Sequence, residues 1–489
     1  MPHAPHQATF AKSGNGKTGE ASGRAAIRVP CRRGQVLVLA LLAGTAFVSL
    51  PGLSAAQSPG GFSNSSVAAS SIPEPPTSVG DDTTGSFGAT GSDADGRDNT
   101  AESPADGAGA RNKDDGEATG IRLGSFILKP SITQSLKSQK TTGNGADSKR
   151  SYLETSGTGT LTSDWARHEL TIKGQGRWQK NLSGDLPTDS GGSLDADLRL
   201  DLSDKTVAHI TGGYELGRED NTDPNAISGA STQSNVMTLR GGASIERDLG
   251  RLRGLVGVDI ARTTYSPAKF PNGTTLDLSD RDRNAYTLRG RIGYEISPAL
   301  IPFIEASIGT TRYDQEQDTN GYKRSSNTYA LRGGVAVDLG EKLRGEIGAG
   351  YETVTYDDSR LTEIGALSLE GSATWSPQRG TDLTAGLQTT VEDSTAPGES
   401  GAVVYRFTTD LKHELRDNLI AKLSGATTWR RYPSGSAIVD STAYTTGGGL
   451  AYRINRYLEL EGTVNYEVTR RSTGNTTDLT TGIGLTLKR

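Results

Sequence analysis

The chain is poor in what a soluble core needs. Only 33% of its 489 residues are hydrophobic and 6% aromatic, against a usual ~45–50% apolar share. Mean hydropathy is −0.50, and past residue 50 no apolar run nears the ~20 residues of a spanning helix. The one cysteine, Cys31, precedes the apolar stretch at 36–50, so the remainder has no thiol for a disulfide or a Cys–metal site. Histidine is equally scarce, with His168, His209 and His413 the three beyond residue 56. No His-Glu-x-x-His pair, nucleophile elbow or phosphate-cradling glycine loop occurs. The sequence thus offers no catalytic residue, no cofactor site and no metal site; His209, with Thr211 on the same face, is the residue an enzyme reading would have to use. A basic excess is missing too: the net charge is −5. Residues 1–56 carry six basic residues and Glu20, so 57–489 carry −10 and 57–118 alone about −8 of that. Such a balance excludes a basic nucleic-acid binder.

What is present is glycine, 63 residues of it, and an alternation of period two. Tyr286, Leu288, Gly290, Ile292, Tyr294 and Ile296 share one parity, and Thr287, Arg289, Arg291, Gly293 and Glu295 the other. That is a strand with unlike faces, and nine to eleven such residues form one bilayer-crossing stave of a barrel. Tight turns are expected at Ser163-Asp164, Ser203-Asp204, Asp248-Leu249-Gly250, Ser297-Pro298, Leu339-Gly340-Glu341, Ser376-Pro377, Arg416-Asp417-Asn418 and Ile454-Asn455. Longer polar stretches alternate with them, at 181–193, 217–232, 264–282, 312–325, 393–402 and 431–437. Short periplasmic turns and long external loops alternate in this way in outer-membrane barrels.

Eight hairpins, one strand before them (about 126–137) and one after (478–488) give an all-β, transmembrane, antiparallel up-and-down β-barrel of eighteen strands. Sixteen is the alternative, because Pro130 interrupts the first strand. A repeat near 40 residues also suits a β-propeller, but each repeat holds two long alternating runs where a blade needs four short strands.

The apolar parity, for example Leu252, Val256, Val258 and Ile260, should face lipid, with Tyr286, Tyr329, Tyr351, Trp375 and Tyr452 near the interfaces. The opposite parity should line the pore. It comprises Lys173, Arg177, Asp195, Asp197, Arg199, Asp201, Arg240, Glu246, Arg289, Arg291 and Glu295. It continues with Glu305, Arg332, Asp338, Arg344, Glu346, Arg406, Asp410, Lys412, Glu459 and Glu461. A basic residue facing lipid at mid-membrane costs roughly 2–4 kcal/mol, so only a hydrated interior accommodates them. Cross-strand pairing that locks the wall is the competing role for any one of them.

Residues 1–56 read as an export signal: Arg24, Arg28, Arg32 and Arg33, then 36–50, then the small residues Ser54-Ala55-Ala56 before Gln57. A single anchoring helix is the alternative, and residues 1–23 fit an extension from an upstream start codon. Residues 57–118, rich in Gly, Ser and Asp, predict a disordered periplasmic linker, and 119–489 the barrel.

The opening strands at 121–132, and Leu161 to Ile172 with Ser163, Asp164, Trp165, Arg167 and His168 at its turn, resemble the putative β-barrel porin 2 family of Gram-negative bacteria. The resemblance covers about 120–489 and implies a porin-like outer-membrane channel. Some members look like eighteen-stranded porins encoded with exopolysaccharide machinery, which implies an outer-membrane exit for exopolysaccharide. The implied partners are outer-membrane lipid and lipopolysaccharide, the barrel assembly machinery and a periplasmic polysaccharide-export protein, with no nucleic acid. A non-conducting structural or adhesive surface barrel, acting through nine external loops, is the alternative. One departure stands: the chain ends Leu485-Thr486-Leu487-Lys488-Arg489, where barrels commonly end on an aromatic residue.

Overall fold

Alternation of period two, carried through most of the chain, builds one sheet. The computed structural model describes residues 118–143, 146–184, 187–219 and 223–489. The expected export signal and all but the last residue of the expected linker lie outside the described residues. Nineteen strands join in antiparallel order, the first a three-residue graft, Ile121–Leu123. The other eighteen are the staves of a closed barrel. It closes where the first stave, Phe126–Gly143, pairs with the last, Gly474–Lys488, from Ser131↔Lys488 to Gly143↔Thr476. Closure leaves no unpaired edge, which is what allows a sheet to stand in lipid.

The first stave shows why Pro130 is tolerated. Proline cannot donate to a ladder and is confined to edges, and Pro130 lies just past the last rung to the closing strand. Its carbonyl accepts the Arg489 N–H at 3.0 Å, and Ile121–Leu123 pairs the exposed edge below it. The sixteen-strand alternative falls with it.

Two turns differ from the sequence reading. Pro377 does not make a turn; it sits inside Ile364–Gln378 at an irregularity between Trp375 and Gln378, and Gly380 at φ +76° turns the chain three residues later. A bulge absorbs the missing donor. Asn455 likewise ends Ser441–Asn455, and its Oδ1 accepts the N–H groups of Tyr457 and Leu458, so the reversal falls at 456–457. The first stave is also longer than expected, reaching Gly143. Nor are all connections at the far rim long. Residues 144–145 and 472–473 separate their strands by two residues each.

The resembling turn forms a clamp at the short-turn rim. Ser163 Oγ accepts the Leu170 N–H at 2.8 Å, and Trp165 lies edge-on to Phe126 at 5.6 Å. Arg122 pairs with Asp164. Arg167 reaches the next hairpin, donating to the carbonyls of Asp201 at 2.8 Å and Leu202 at 2.9 Å. His168, at φ +71°, accepts the Asp201 N–H at 3.0 Å through Nδ1. Removing Arg167 with Arg167→Ala should cost about 1 kcal/mol, the value of exposed charge-assisted bonds to carbonyls, read as a lowered urea midpoint for the folded barrel.

Candidate functional site

The site is the interior, and its walls are unequal. On every strand concerned, the expected lining residues take the parity opposite to the exposed large apolar side chains, such as Ile304 against Glu305 and Leu331 against Arg332. Glu295 lies one residue past the end of Arg283–Tyr294.

Along the eighth to twelfth staves (Arg283–Tyr294, Leu300–Tyr313, Ser326–Asp338, Leu343–Tyr356, Ile364–Gln378) the interior face is a packed ionic lattice. Arg291 donates to Glu305 at 2.7 Å and to Glu346 at 2.8 Å. Arg332 reaches Glu305 at 2.8 Å and Glu370 at 2.5 Å. Glu305 is 2% exposed and Arg332 4%, so these charges are satisfied by one another. The Arg291 guanidinium also stacks on Phe303, 4.1 Å from the ring centre. That ring lies along the wall because Gly334 leaves room for it: a Cβ there would collide with Phe303 Cζ. Sequence reasoning missed Glu370 and Phe303. The parity of Glu370 is a usable signal, whereas nothing marks Phe303 as interior except its position two residues before Glu305.

Elsewhere rungs are local. Lys422 pairs with Glu461 at 3.0 Å, Lys488 with Glu459 at 2.8 Å, and Lys137 with Glu154 at 2.6 Å. Along the third to sixth staves (Glu169–Ser183, Gly191–Ser203, Thr206–Arg218, Asn235–Asp248), Lys173, Asp195, Asp197 and Arg240 are exposed. His209 meets Asp197 at 3.0 Å, and His413 meets Thr381 at 2.7 Å on the lipid-facing parity.

The far rim carries loops that cross the mouth. Residues 223–234 lie after the fifth stave and 394–400 after the thirteenth, nearly a diameter apart in the wall, yet they touch. Asn225 Nδ2 donates to the Asp393 carbonyl at 3.0 Å, and its Oδ1 accepts the Thr395 N–H at 2.9 Å. Arg324, from the loop after Leu300–Tyr313, donates to the carbonyls of Ala396 at 2.8 Å and Glu399 at 2.9 Å. Tyr313 donates to the Asp393 carboxylate at 3.2 Å.

The root of the crossing loop is pH-sensitive. Glu219, 3% exposed, sits 3.3 Å from Arg281. Burial pushes its carboxyl from 4.5 up to about 7, with Arg281 opposing the rise. The folded loop therefore favours the protonated acid. Stability from this site is fully present below 4.5 and is lost as the pH rises through about 7. Limited proteolysis within 223–234 should be slower at pH 5 than at pH 8, and Glu219→Gln should flatten that difference.

A closed wall with an apolar outer parity and a charged inner one is the architecture of a membrane-spanning barrel, and the family description Putative beta-barrel porin 2 matches residues 114–489. The chain belongs to that family. No curated protein matches it in sequence. Among solved structures this porin-family barrel is similar to OpdL of Pseudomonas aeruginosa, with 12% identity, TM-score 0.36 and 74% of this chain against 99% of that one. It is also similar to OccAB4 of Acinetobacter baumannii, with 11% identity, TM-score 0.37 and coverage of 74% and 98%.

Proposed function

We propose that this barrel is an outer-membrane channel for hydrated solutes in a Gram-negative bacterium, with an exported exopolysaccharide as its cargo. The observation that carries the reading is the wall itself: eighteen paired staves, apolar outside, with exposed charges such as Lys173, Asp197 and Arg240 on the inner parity. Barrels of ~16–18 strands leave an aqueous passage that side chains alone do not fill. Membership of the porin family supports the same reading. The expected lining residues then divide into solute-facing charges on the open wall and wall-locking charges in the lattice.

In this reading residues 1–56 direct export, 57–118 form a periplasmic spacer, and 119–489 insert through the barrel assembly machinery among outer-membrane lipid and lipopolysaccharide. A periplasmic polysaccharide-export protein would deliver the cargo to the short-turn rim. Purified protein in a planar bilayer should give steady single-channel steps. Deleting the gene should lower secreted polysaccharide, and unchanged secretion would remove that cargo. The crossing loops favour a second reading, a closed barrel acting through its surface loops, and absence of any current would select it.

A further inference from the structure

The interior is divided, and two independent observations divide it along the same line. The first is the roof. The contact of Asn225 with Asp393 and Thr395 is a chord across the mouth. On one side of the chord the loops at 266–282, 314–325, 357–363 and 394–400 are knitted to one another. Thr319 donates to Asp280, the Lys323 N–H donates to Asp358, and Arg324 donates to the backbone of 394–400. On the other side Leu458–Arg471 and Gly474–Lys488 are joined by 472–473 alone, and Phe126–Gly143 pairs with Ala146–Ser163 out to Gly143↔Ala146.

The second observation is burial below that roof. Under the knitted loops the inner parity is filled: Thr287 is 5% exposed, Ser307 8%, and Ser368 none. An apolar cluster of Val354, Ile364, Ala366, Val391 and Val403 packs in the same sector, near the strand ends that lead into 394–400. Along the staves joined there the inner parity is less filled: Arg150, Tyr152 and Glu154 are buried towards the far rim, but Thr133, Thr445, Thr463 and Thr480 are half-buried and Thr158, towards the short-turn rim, is exposed.

The chemistry of that open wall is also distinct. It is formed by Ser441–Asn455, Leu458–Arg471, Gly474–Lys488, Phe126–Gly143 and Ala146–Ser163. Ion pairs stand at its ends, Lys488 with Glu459 towards the short-turn rim and Lys137 with Glu154 further up. Hydroxyls stand among these charges; some bond one another, Thr133 with Thr486 at 2.8 Å and Ser131 with Thr158 at 2.6 Å, while Thr445 donates to Glu467, Thr480 to Asp478 and Thr463 to the Gly482 carbonyl. A hydroxyl has one donor and two acceptor sites, so each such pair keeps capacity for a solute hydroxyl. A neutral chain of hydroxyl groups could exchange its water for these partners without stripping a charge.

We propose that the conducting path runs off the barrel axis, between this hydroxyl-bearing wall and the exposed charged wall of the third to sixth staves, and that the hydroxyl wall is its contact surface for uncharged, polyhydroxylated solutes. The ionic lattice and the roofed sector are then scaffold and carry no flux. This rests on the channel reading, so the test must separate the two.

The absence of cysteine after Cys31 permits single-cysteine probing. Thr158→Cys and Thr463→Cys report the open wall, and Thr287→Cys and Ser307→Cys the lattice wall. Each full-length variant, with Cys31→Ser and checked for assembly by its heat-dependent gel migration, is recorded in planar bilayers with a charged methanethiosulfonate reagent and with a neutral dextrin. Modification should step the current down at Thr158→Cys and Thr463→Cys and weaken dextrin block there severalfold, and leave both unchanged at Thr287→Cys and Ser307→Cys. Equal modification of both walls, or modification of the lattice wall alone, overturns the off-axis path. Current that steps down with unchanged dextrin block overturns the contact surface. An unmodified protein that passes no current overturns the channel reading and this inference together.

Discussion

Leu288→Arg should destabilise the barrel in lipid by about 2–4 kcal/mol, the cost of a basic side chain facing hydrocarbon at mid-membrane, whereas Ser424→Arg should cost far less. Leu288 is 44% exposed on the outer parity in the middle of Arg283–Tyr294. Ser424 shares the inner parity of Leu419–Arg431 with Lys422, whose ammonium already finds Glu461. The difference depends only on which face meets lipid, because both substitutions add the same side chain to a strand. Refolding into vesicles across a urea series measures it. Equal losses would mean that the faces are assigned wrongly.

Arg332→Met should lose about 3–5 kcal/mol, the range for removing one partner from a buried ionic group. Arg332 is the cation that Glu305 and Glu370 share, and beside it Ser368 links to Glu352. Without it Glu370 loses that cation and Glu305 is left with Arg291, in a sector with almost no solvent access. Glu305→Gln should cost clearly less. It leaves Arg291 with Glu346 and Arg332 with Glu370, so the remaining charges still balance. The same urea series distinguishes the two, and a larger loss for Glu305→Gln would show that the lattice is not held by Arg332.

The staves were legible because period two is local: Tyr286, Leu288 and Ile292 need no partner to be read as one face. The family turn was legible as a motif, but its work was not. Arg167 acts on carbonyls of the next hairpin, and that neighbour follows from register rather than from sequence. Pro377 misled because proline signals a turn more often than a bulge near a strand end. The roles of the lining residues were the least legible. Glu305 and Asp197 read alike in the sequence, yet one is enclosed by two guanidinium groups and the other is exposed beside His209. The crossing of Asn225 to Asp393 spans 168 residues, and no spacing along the chain announces it.

The central claim is a sheet closed on itself through Ser131↔Lys488 and its neighbouring rungs, apolar outside and polar within. Gel migration of the purified, detergent-folded protein before and after boiling tests it most directly. A closed barrel keeps its compact form in cold detergent, so the unboiled sample should run faster than the boiled one. Identical migration, from protein that also stays in solution once detergent is withdrawn, would contradict it.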